Sequence, residues 1–375
     1  MEIQRYYSDL EKYLEKGKAL IIFGPRRVGK TTLLKGFLSR TSLKYRLDSG
    51  DNLATQEVLG SQNFDLILPF AQGFDLIALD EAQRISGVGL GMKILVDQLP
   101  NLRIIATGSS LFELAGQIGE PLTGRKTTIT LYPVSQIELA EQYNGYDLKC
   151  KLPEWLIYGG YPEIIATDVA SKKIALLDEL VQSYLLKDIL ELERVKSSKI
   201  LMDLLRLIAF QVGNQVSLSE LATSLAIDYK TVARYLDLFE KSFVIYNLRG
   251  YSRNLRKEVT RKSRYYFYDN GVRNAIISNF NDIDKRNDIG VLWENFLFME
   301  RLKKRSYAGI PANPFFWRTW DQKELDLVEE RDGKLFGYEF KWSAKGGKHA
   351  AAWRATYPEA EFKVITKDNY LQFIT

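Results

Sequence analysis

The sequence has almost none of the residues that build disulfides, zinc sites and histidine chemistry. Its 375 residues include one cysteine, Cys150, and one histidine, His349. A single cysteine excludes an internal disulfide and a cysteine-rich zinc site, and a single histidine excludes a histidine-based metal cluster. The same scarcity argues against a Ser-His-Asp triad and indicates a reduced compartment.

Long apolar runs are also missing. No stretch of the sequence is long enough to cross a bilayer, and the start, Met1-Glu-Ile-Gln-Arg-Tyr-Tyr, lacks the basic and apolar regions of a signal peptide. Hydrophobic residues make up 46% of the chain and charged residues 26%, a globular profile with material for several cores. We therefore expect a cytoplasmic protein without membrane contact. The excess of 52 Lys+Arg over 47 Asp+Glu is too small to identify a nucleic-acid partner by itself.

Short apolar runs alternate with helical segments in the first third of the chain. The run Ala19–Phe23 is typical of a buried strand, and further strands are predicted at 44–47, 75–79 and 103–106. This alternation predicts a parallel sheet covered by helices. A short amphipathic helix is predicted for residues 1–16.

The segment after the first predicted strand matches the phosphate-binding pattern G-x-x-x-x-G-K-[ST]. Glycines let backbone N–H groups converge on an anion, and the following helix N-terminus adds partial positive charge. We predict that this loop binds ATP, with Lys30 on the β- and γ-phosphates, the Thr31 hydroxyl on Mg²⁺ and Thr32 on the α-phosphate. The predicted nucleotide-binding residues are Gly24, Pro25, Arg26, Arg27, Val28, Gly29, Lys30, Thr31 and Thr32.

Polar residues follow the next predicted strands, at the ends where open α/β sheets place their ligands. Asp80 is predicted to hold the magnesium ion, and Glu81 to polarise the attacking water as a general base. Thr107 and Ser109 are predicted to sense the γ-phosphate or hold that water. A helix N-cap and a strand-ending turn are the alternative interpretations of these two pairs.

Arg125 is a candidate arginine finger that would stabilise charge developing on the γ-phosphate. Whether it would act in its own chain or on a neighbouring subunit stays open, and a surface arginine is the alternative. A ring or a dimer of identical chains is compatible with this prediction.

The middle of the chain predicts a helix-turn-helix. Ser217 begins one helix with a capping box and Asp228 begins a second. The early turns of the second helix carry the residues that usually contact bases or phosphates, namely Tyr229, Lys230, Thr231 and Arg234. A basic stretch with interleaved tyrosines then predicts a DNA-binding wing that includes Arg253, Arg256, Lys257 and Arg261. Protein docking by the same module is the alternative.

Four charged residues near the C-terminus form the pattern Glu…Asp…Glu-x-Lys. Glu294 lies in a predicted helix, Asp326 in a strand, and Glu339 and Lys341 on one face of the next strand. A hairpin turn at 331–334 would bring the two strands together. Such carboxylates can hold Mg²⁺ for phosphodiester cleavage, and a lysine can position water. Salt bridges without catalysis are the alternative.

Several motifs occur together in a fixed order. They are Gly24-Pro-Arg-Arg-Val-Gly-Lys-Thr-Thr, Leu79-Asp-Glu-Ala-Gln83, Thr107-Gly-Ser-Ser110, Gly159-Gly-Tyr-Pro-Glu163, Tyr184-Leu-Leu-Lys-Asp188, Asn254-Leu-Arg-Lys-Glu258, Tyr268-Asp-Asn-Gly271, Trp293-Glu-Asn295 and Trp317-Arg-Thr319. The set resembles the prokaryotic AAA-type ATPases whose C-terminal half is a domain of unknown function. That half is similar to a winged helix followed by a restriction-endonuclease-like PD-(D/E)xK fold.

The resemblance implies an α/β chain with four domains. These are a P-loop ATPase core at 1–133, a lid-like helical subdomain at 134–198, a winged-helix domain at 199–285 and a nuclease-like α/β domain at 286–375. It implies that Lys30, Thr31, Asp80 and Glu81 serve ATP. We therefore predict an ATP-hydrolysing protein that acts on duplex or branched DNA, with metal-dependent cleavage left open. The alternative is a nucleotide-controlled switch that docks a protein partner.

Overall fold

The computed structural model describes residues 3–109, 121–185, 198–251, 263–319, 322–343 and 350–375. The chain forms two compact units. The N-terminal unit comprises 4–132 with 241–243, and the C-terminal unit comprises 133–240 with 244–375. The predicted boundary between 133 and 134 lies one residue from this division, and the boundaries predicted within the C-terminal unit stay predictions. Among the described helices, none combines the length and apolarity needed to span a membrane.

A five-stranded sheet forms the centre of the N-terminal unit. Its strands are β1 Ala19–Phe23, β2 Tyr45–Ser49, β3 Leu76–Asp80, β4 Arg103–Gly108 and β5 Lys126–Thr130, in the spatial order β2-β3-β4-β1-β5. Every neighbouring pair in it is parallel, which confirms the predicted parallel sheet. The fifth strand, next to β1, was not predicted.

Helices follow the strands, as expected for a parallel sheet. The helices of this unit are Lys30–Leu38, Leu53–Gly60, Phe64–Ala71 and Val88–Gln98. β1 and most of β3 are fully buried, which explains their continuous apolar sequences. The helix predicted for residues 1–16 is wrong, because the described part of that segment contains only a 3₁₀ turn at Leu10–Tyr13.

The C-terminal unit begins with helices. The α-helices are Gln136–Leu139, Gly145–Tyr158, Pro162–Ile165 and Ala170–Glu179, and a π-helical segment follows at Leu180–Leu185. A three-helix, three-strand arrangement comes next. Its elements in chain order are the helix Ser198–Phe210, β6 Gln215–Val216, the helices Leu218–Leu225 and Tyr229–Lys241, β7 Ile245–Leu248 and β8 Ser263–Phe267.

These three strands form an antiparallel sheet with the order β6-β8-β7. The helix boundaries agree with the sequence patterns. Ser217 accepts a hydrogen bond from the Glu220 backbone N–H, and Asp228 accepts one from Thr231.

A mixed four-stranded sheet ends the chain. In spatial order its strands are Glu361–Ile365 (β12), Lys334–Phe340 (β11), Glu324–Arg331 (β10) and Asn313–Arg318 (β9). Arg331 pairs with Lys334 across the β10–β11 turn, which confirms the predicted hairpin. Trp317, Leu325, Val328 and Trp353 form part of the apolar core against this sheet. The elements are the helices Asn270–Ile276 and Ile289–Tyr307, β9 Asn313–Arg318, β10 Glu324–Arg331, β11 Lys334–Phe340, the helix Ala350–Thr356, β12 Glu361–Ile365 and the helix Tyr370–Ile374, with a 3₁₀ turn at Ile283–Lys285.

Two of the sequence motifs meet inside the C-terminal unit. The Gly160 N–H donates to Asp269 Oδ2 at 2.7 Å, and Asp269 also caps the helix that follows it. Asn270 and Asn274 donate to the backbone carbonyl of Leu156, near the C-terminal end of the helix Gly145–Tyr158. Carbonyls at a helix C-terminus lack partners within the helix. These motif residues therefore have a structural role that ties the helical segment to the rest of this unit.

Candidate functional site

The P-loop connects β1 to the helix Lys30–Leu38 and packs tightly against the chain after β5. Gly24 has φ +151°, and a Cβ added there would lie 2.0 Å from the Leu131 carbonyl oxygen. No other residue fits this approach without moving the backbone. The loop conformation therefore depends on the absence of a side chain at the first position of the motif.

The two residues that begin the P-loop helix hold distinct positions. Lys30 is buried, and its Nζ donates to the carbonyl oxygens of Gly24 and Pro25, each at 2.8 Å. The Thr31 hydroxyl donates to Asp80 Oδ2 at 2.8 Å. The loop and the end of β3 are thus joined by one short hydrogen bond, because parallel strands end at the same edge of the sheet.

Thr107, at the end of β4, completes this group. Its hydroxyl donates to Asp80 Oδ1 at 2.6 Å and accepts from the Glu81 backbone N–H at 3.1 Å. Thr107 is fully buried, so its hydroxyl geometry is fixed by these two bonds. One carboxylate, Asp80, is therefore held by hydroxyl groups from two different elements of the sheet edge.

Glu81 has a partner that sequence reasoning missed. Gln83 Nε2 donates to Glu81 Oε2 at 2.5 Å and to Ser109 Oγ at 3.1 Å. Glu81 itself adopts a left-handed backbone conformation with φ 51°, which is uncommon for a residue other than glycine. The position of Gln83, two residues after Glu81 in the Leu-Asp-Glu-Ala-Gln motif, could have indicated this contact from the sequence.

Arg125 lies away from this group in its own chain. It precedes β5, and β5 runs parallel to β1 with Lys126 opposite Ala19, so Arg125 lies at the amino edge of the sheet. There its Nε forms an ion pair with Asp97 Oδ1 at 2.5 Å. The structure thus does not bring Arg125 to the P-loop of the same chain, and a role on a neighbouring subunit stays a prediction.

Arg5 is a second residue that the sequence did not single out. Its guanidinium is buried, with Nη1 donating to the carbonyl of Val28 in the P-loop and Nη2 donating to the carbonyl of Tyr132 at 2.6 Å. Arginine can hold two acceptors at once because its donors form a rigid fork. Arg5 therefore braces the P-loop against the end of the N-terminal unit.

The residues at this edge fit a magnesium–nucleotide pair. Mg²⁺ bound with a nucleotide usually uses one or two protein groups together with phosphate oxygens and water. Thr31 and Asp80 supply one hydroxyl and one carboxylate at this edge. Across the described residues no cluster of three His, Cys, Asp or Glu could hold a metal alone. Phosphate oxygens would therefore have to complete the coordination, as in a P-loop site.

The predicted DNA-contacting residues that the structure describes lie at the start of the helix Tyr229–Lys241. Tyr229, Lys230 and Arg234 are exposed. The Thr231 hydroxyl donates instead to Asp228 Oδ2 at 2.5 Å, so Thr231 takes part in capping the helix. The predicted wing residues Arg253, Arg256, Lys257 and Arg261 lie outside the described residues.

The four nuclease-like residues lie in one neighbourhood, because the Lys341 charge interacts with Glu294 and Asp326 as well as with Glu339. Lys341 Nζ pairs with Glu339 Oε1 at 3.0 Å. Glu294 Oε1 accepts from the Tyr266 hydroxyl at 2.7 Å, and Asp326 Oδ2 accepts from the Phe340 N–H at 2.7 Å.

Burial has the largest effect on the pKa values of Asp326 and Glu294. Burial, with the nearby Glu294 carboxylate, raises the pKa of Asp326 to about 8. Burial also raises the pKa of Glu294, against the opposing effect of Arg264. Arg264 lies between these acids, and sequence reasoning did not anticipate it.

Three family models match the chain. Residues 16–140 match an AAA domain, residues 150–283 match a domain of unknown function (DUF8612), and residues 289–372 match a domain of unknown function (DUF4143). The N-terminal part is therefore an AAA domain of the P-loop ATPase family, followed by two domains of unknown function. This result supports nucleotide-dependent ATPase activity. It does not extend to a winged helix or a nuclease fold.

The similar curated proteins are themselves described as uncharacterized. One from Mycobacterium tuberculosis is 27% identical over 336 residues, covering 88% of this chain and 72% of that protein. One from Haemophilus influenzae is 24% identical over 397 residues, covering 99% of this chain and 92% of that protein. One from Methanocaldococcus jannaschii is 23% identical over 323 residues, covering 80% of this chain and 70% of that protein.

A solved structure, described as the structural basis for DNA unwinding at forked dsDNA by two coordinating Pif1 helicases, is 12% identical to this chain. The alignment covers 48% of this chain and 52% of that chain. Its TM-score of 0.27 is too low to define a shared fold.

Proposed function

We propose that this chain hydrolyses ATP with Mg²⁺ and binds DNA through a winged helix whose affinity depends on the bound nucleotide. The observation that carries the ATPase proposal is the convergence of Thr31, Asp80 and Thr107 at one edge of the sheet. In this proposal Lys30 binds the phosphates, Thr31 and Asp80 hold the metal, and Glu81 orients the attacking water. Gln83 keeps the Glu81 carboxylate in place.

The DNA part of the proposal rests on the arrangement of residues 198–267. Two short helices precede β7 and β8, and the second of them exposes Lys230 and Arg234 on its first two turns. In helix-turn-helix proteins the early turns of the second helix contact bases and phosphates. Lysine and arginine side chains there would neutralise DNA phosphates and release counterions.

The DNA test measures ATP turnover and DNA binding together. ATPase rates are recorded against single-stranded, duplex and branched DNA at several salt concentrations, with Lys30→Ala as the turnover control. We expect DNA to stimulate the wild-type rate. The double variant Lys230→Glu/Arg234→Glu should weaken DNA binding about tenfold or more and lower the salt slope by about 2, with basal ATPase retained.

A matched charge reversal controls for net charge. Lys172 and Lys334 are exposed lysines in the same unit but outside the three-helix arrangement. Lys172→Glu/Lys334→Glu should keep wild-type DNA binding. An equal loss of DNA binding in both double variants would mean that only net charge matters. The DNA proposal would be rejected if no DNA changed the ATPase rate and no salt-sensitive DNA binding were found.

Protein docking is the second candidate function. Phe210 and Tyr229 expose 67% and 53% of their surface in the same arrangement, and exposed aromatic residues are enriched at protein interfaces. This candidate predicts slow turnover, tight nucleotide binding and a specific partner retained in the ATP state. Tandem purification of wild type and of Phe210→Ser in the presence of ATP tests this candidate. If Phe210 belongs to a docking surface, the partner that purifies with wild type should be lost from the variant.

A further inference from the structure

Arg264, on β8, is one of the most deeply buried charged residues in the described chain. It exposes 2% of its surface. One terminal nitrogen, Nη2, lies 2.6 Å from Glu324 Oε2, and the other, Nη1, lies 3.9 Å from both Glu294 Oε1 and Asp326 Oδ1. We call Glu294, Glu324 and Asp326 the carboxylate cage. One guanidinium therefore lies among three acids from two different elements.

The surroundings leave the guanidinium little room to move. Its carbon lies 4.6 Å from the centre of the Phe316 ring, a cation–π distance. Gly213 packs directly against Glu294, because a Cβ added at Gly213 would lie 2.5 Å from Glu294 Oε1. The Nε of Arg264 has no hydrogen-bond partner among the described residues, so its polar contacts run through the terminal nitrogens.

Electrostatics makes the arginine and the acids depend on each other. A buried charge without a partner is strongly unfavourable, and burial alone lowers the pKa of Arg264. The nearby Tyr266, Glu294, Glu324 and Asp326 reverse that effect, so the net pKa of Arg264 rises and the guanidinium stays charged. Removing the arginine would leave the cage acids without the cation that lies 2.6 Å from Glu324, while the Lys341 charge would still act on Glu294 and Asp326.

A divalent metal would require a different geometry in the same space. Magnesium binds carboxylate oxygens at about 2.0–2.1 Å, so its ligands must close around one point. Here oxygens of Glu294 and Asp326 each stand 3.9 Å from the same nitrogen of Arg264. In the part of the chain that the structure describes, no trio of acids, histidines or cysteines is close enough to hold a metal.

We propose that Arg264 is the resident cation of the carboxylate cage, and that it holds β8 against the C-terminal sheet in the position a divalent metal would otherwise take. Metal and arginine exclude each other, because a metal held by both Glu294 and Asp326 would need the space that Arg264 Nη1 occupies beside them. While Arg264 is in place, the Glu…Asp…Glu-x-Lys pattern serves as an ion-paired anchor and not as a metal-dependent nuclease. This inference is independent of the ATPase proposal.

The test asks whether Mn²⁺ can replace the missing arginine. Full-length wild type, Arg264→Gln and Arg264→Gln/Asp326→Asn are melted at pH 8 without nucleotide, with and without Mn²⁺. Arg264→Gln should melt several degrees below wild type and recover by about 3 °C or more with Mn²⁺. The recovery should vanish in the double variant. Mn²⁺ should change the melting temperature of wild type by no more than it changes the melting temperature of the double variant.

Bound Mn²⁺, measured by electron paramagnetic resonance, supplies the second readout. Arg264→Gln should gain about one bound ion per chain relative to wild type. The proposal is overturned if wild type already binds Mn²⁺ in a manner lost in Asp326→Asn, if wild type cleaves DNA in an Asp326-dependent manner, or if Arg264→Gln folds but ignores Mn²⁺. Should Arg264→Gln fail to fold, folding of the double variant supports the proposal, and failure of both rejects it.

Discussion

Thr107 offers the sharpest test of the nucleotide site, because one hydroxyl connects two residues with different proposed roles. Its oxygen donates to Asp80 and accepts from the Glu81 backbone N–H, at 2.6 and 3.1 Å. Thr107→Val keeps the side-chain shape and removes both bonds. Thr107→Ser keeps the hydroxyl and removes only a methyl group, so it is the matched control.

The size of the effect follows from the kind of bond that is lost. A hydrogen bond to a charged group contributes about 1.5–3 kcal/mol, and the orphaned Glu81 N–H adds to the cost. If the Thr107 bond to Asp80 stabilises the transition state, each 1.36 kcal/mol lowers turnover tenfold. We therefore expect kcat to fall about 10- to 150-fold in Thr107→Val. Thr107→Ser should stay within about threefold of wild type.

Steady-state ATPase assays and titrations with a fluorescent nucleotide separate chemistry from binding. The expected pattern is a lower kcat with nucleotide affinity changed less than about fivefold, since Lys30 and the P-loop backbone remain in place. A Thr107→Val enzyme with normal turnover would refute the assigned role. So would an equal fall in affinity and turnover, which would indicate a general disturbance of the fold.

Two further substitutions test residues that the structure added to the site. Gln83→Leu should lower kcat about tenfold and keep KM within about threefold of wild type, because Glu81 loses the donor that fixes its carboxylate. Steady-state ATPase kinetics measure both values, and a change in KM with an unchanged kcat would contradict the prediction. Arg5→Gln should weaken nucleotide binding about tenfold in a fluorescence titration, because the P-loop loses the arginine that braces it. Arg5→Lys keeps one of the two hydrogen bonds, so its nucleotide affinity should lie between those of wild type and Arg5→Gln. Unchanged affinity in Arg5→Gln would remove that role.

Local patterns predicted much of the N-terminal unit. The P-loop, the acidic pair and the parallel sheet each depend on short stretches in which strand, loop and helix follow in order. Thr31 and Asp80 meet because parallel strands end at the same edge, a rule that follows from strand direction alone. The sequence therefore sufficed for residues whose position depends on the direction of their own strand.

The contacts that the sequence did not predict belong to residues whose position depends on strand order or on distant segments. Arg125 was a candidate arginine finger for its own chain or a neighbouring one. It precedes a strand that was not predicted and lies at the edge of the sheet opposite its own P-loop, so the role on a neighbouring subunit stays a prediction. Arg5 reaches the P-loop across 23 residues of sequence, and no periodicity signals that contact. Gln83 was close in sequence, but only the turn made by Glu81 directs its amide back to the carboxylate.

Asp80 and Asp326 show why an acidic pattern alone cannot define a metal site. Asp80 was predicted to hold magnesium from its place on a strand, and Asp326 was a candidate magnesium ligand with a salt bridge as the alternative. Asp80 receives hydrogen bonds from the neutral hydroxyls of Thr31 and Thr107, keeps partial exposure and can accept a cation. Asp326 is buried beside the guanidinium of Arg264, which approaches from a strand more than sixty residues earlier in the chain. What decides between a metal ligand and a structural anchor is the group that fills the space facing the carboxylate, and for Asp326 that space already holds a positive charge.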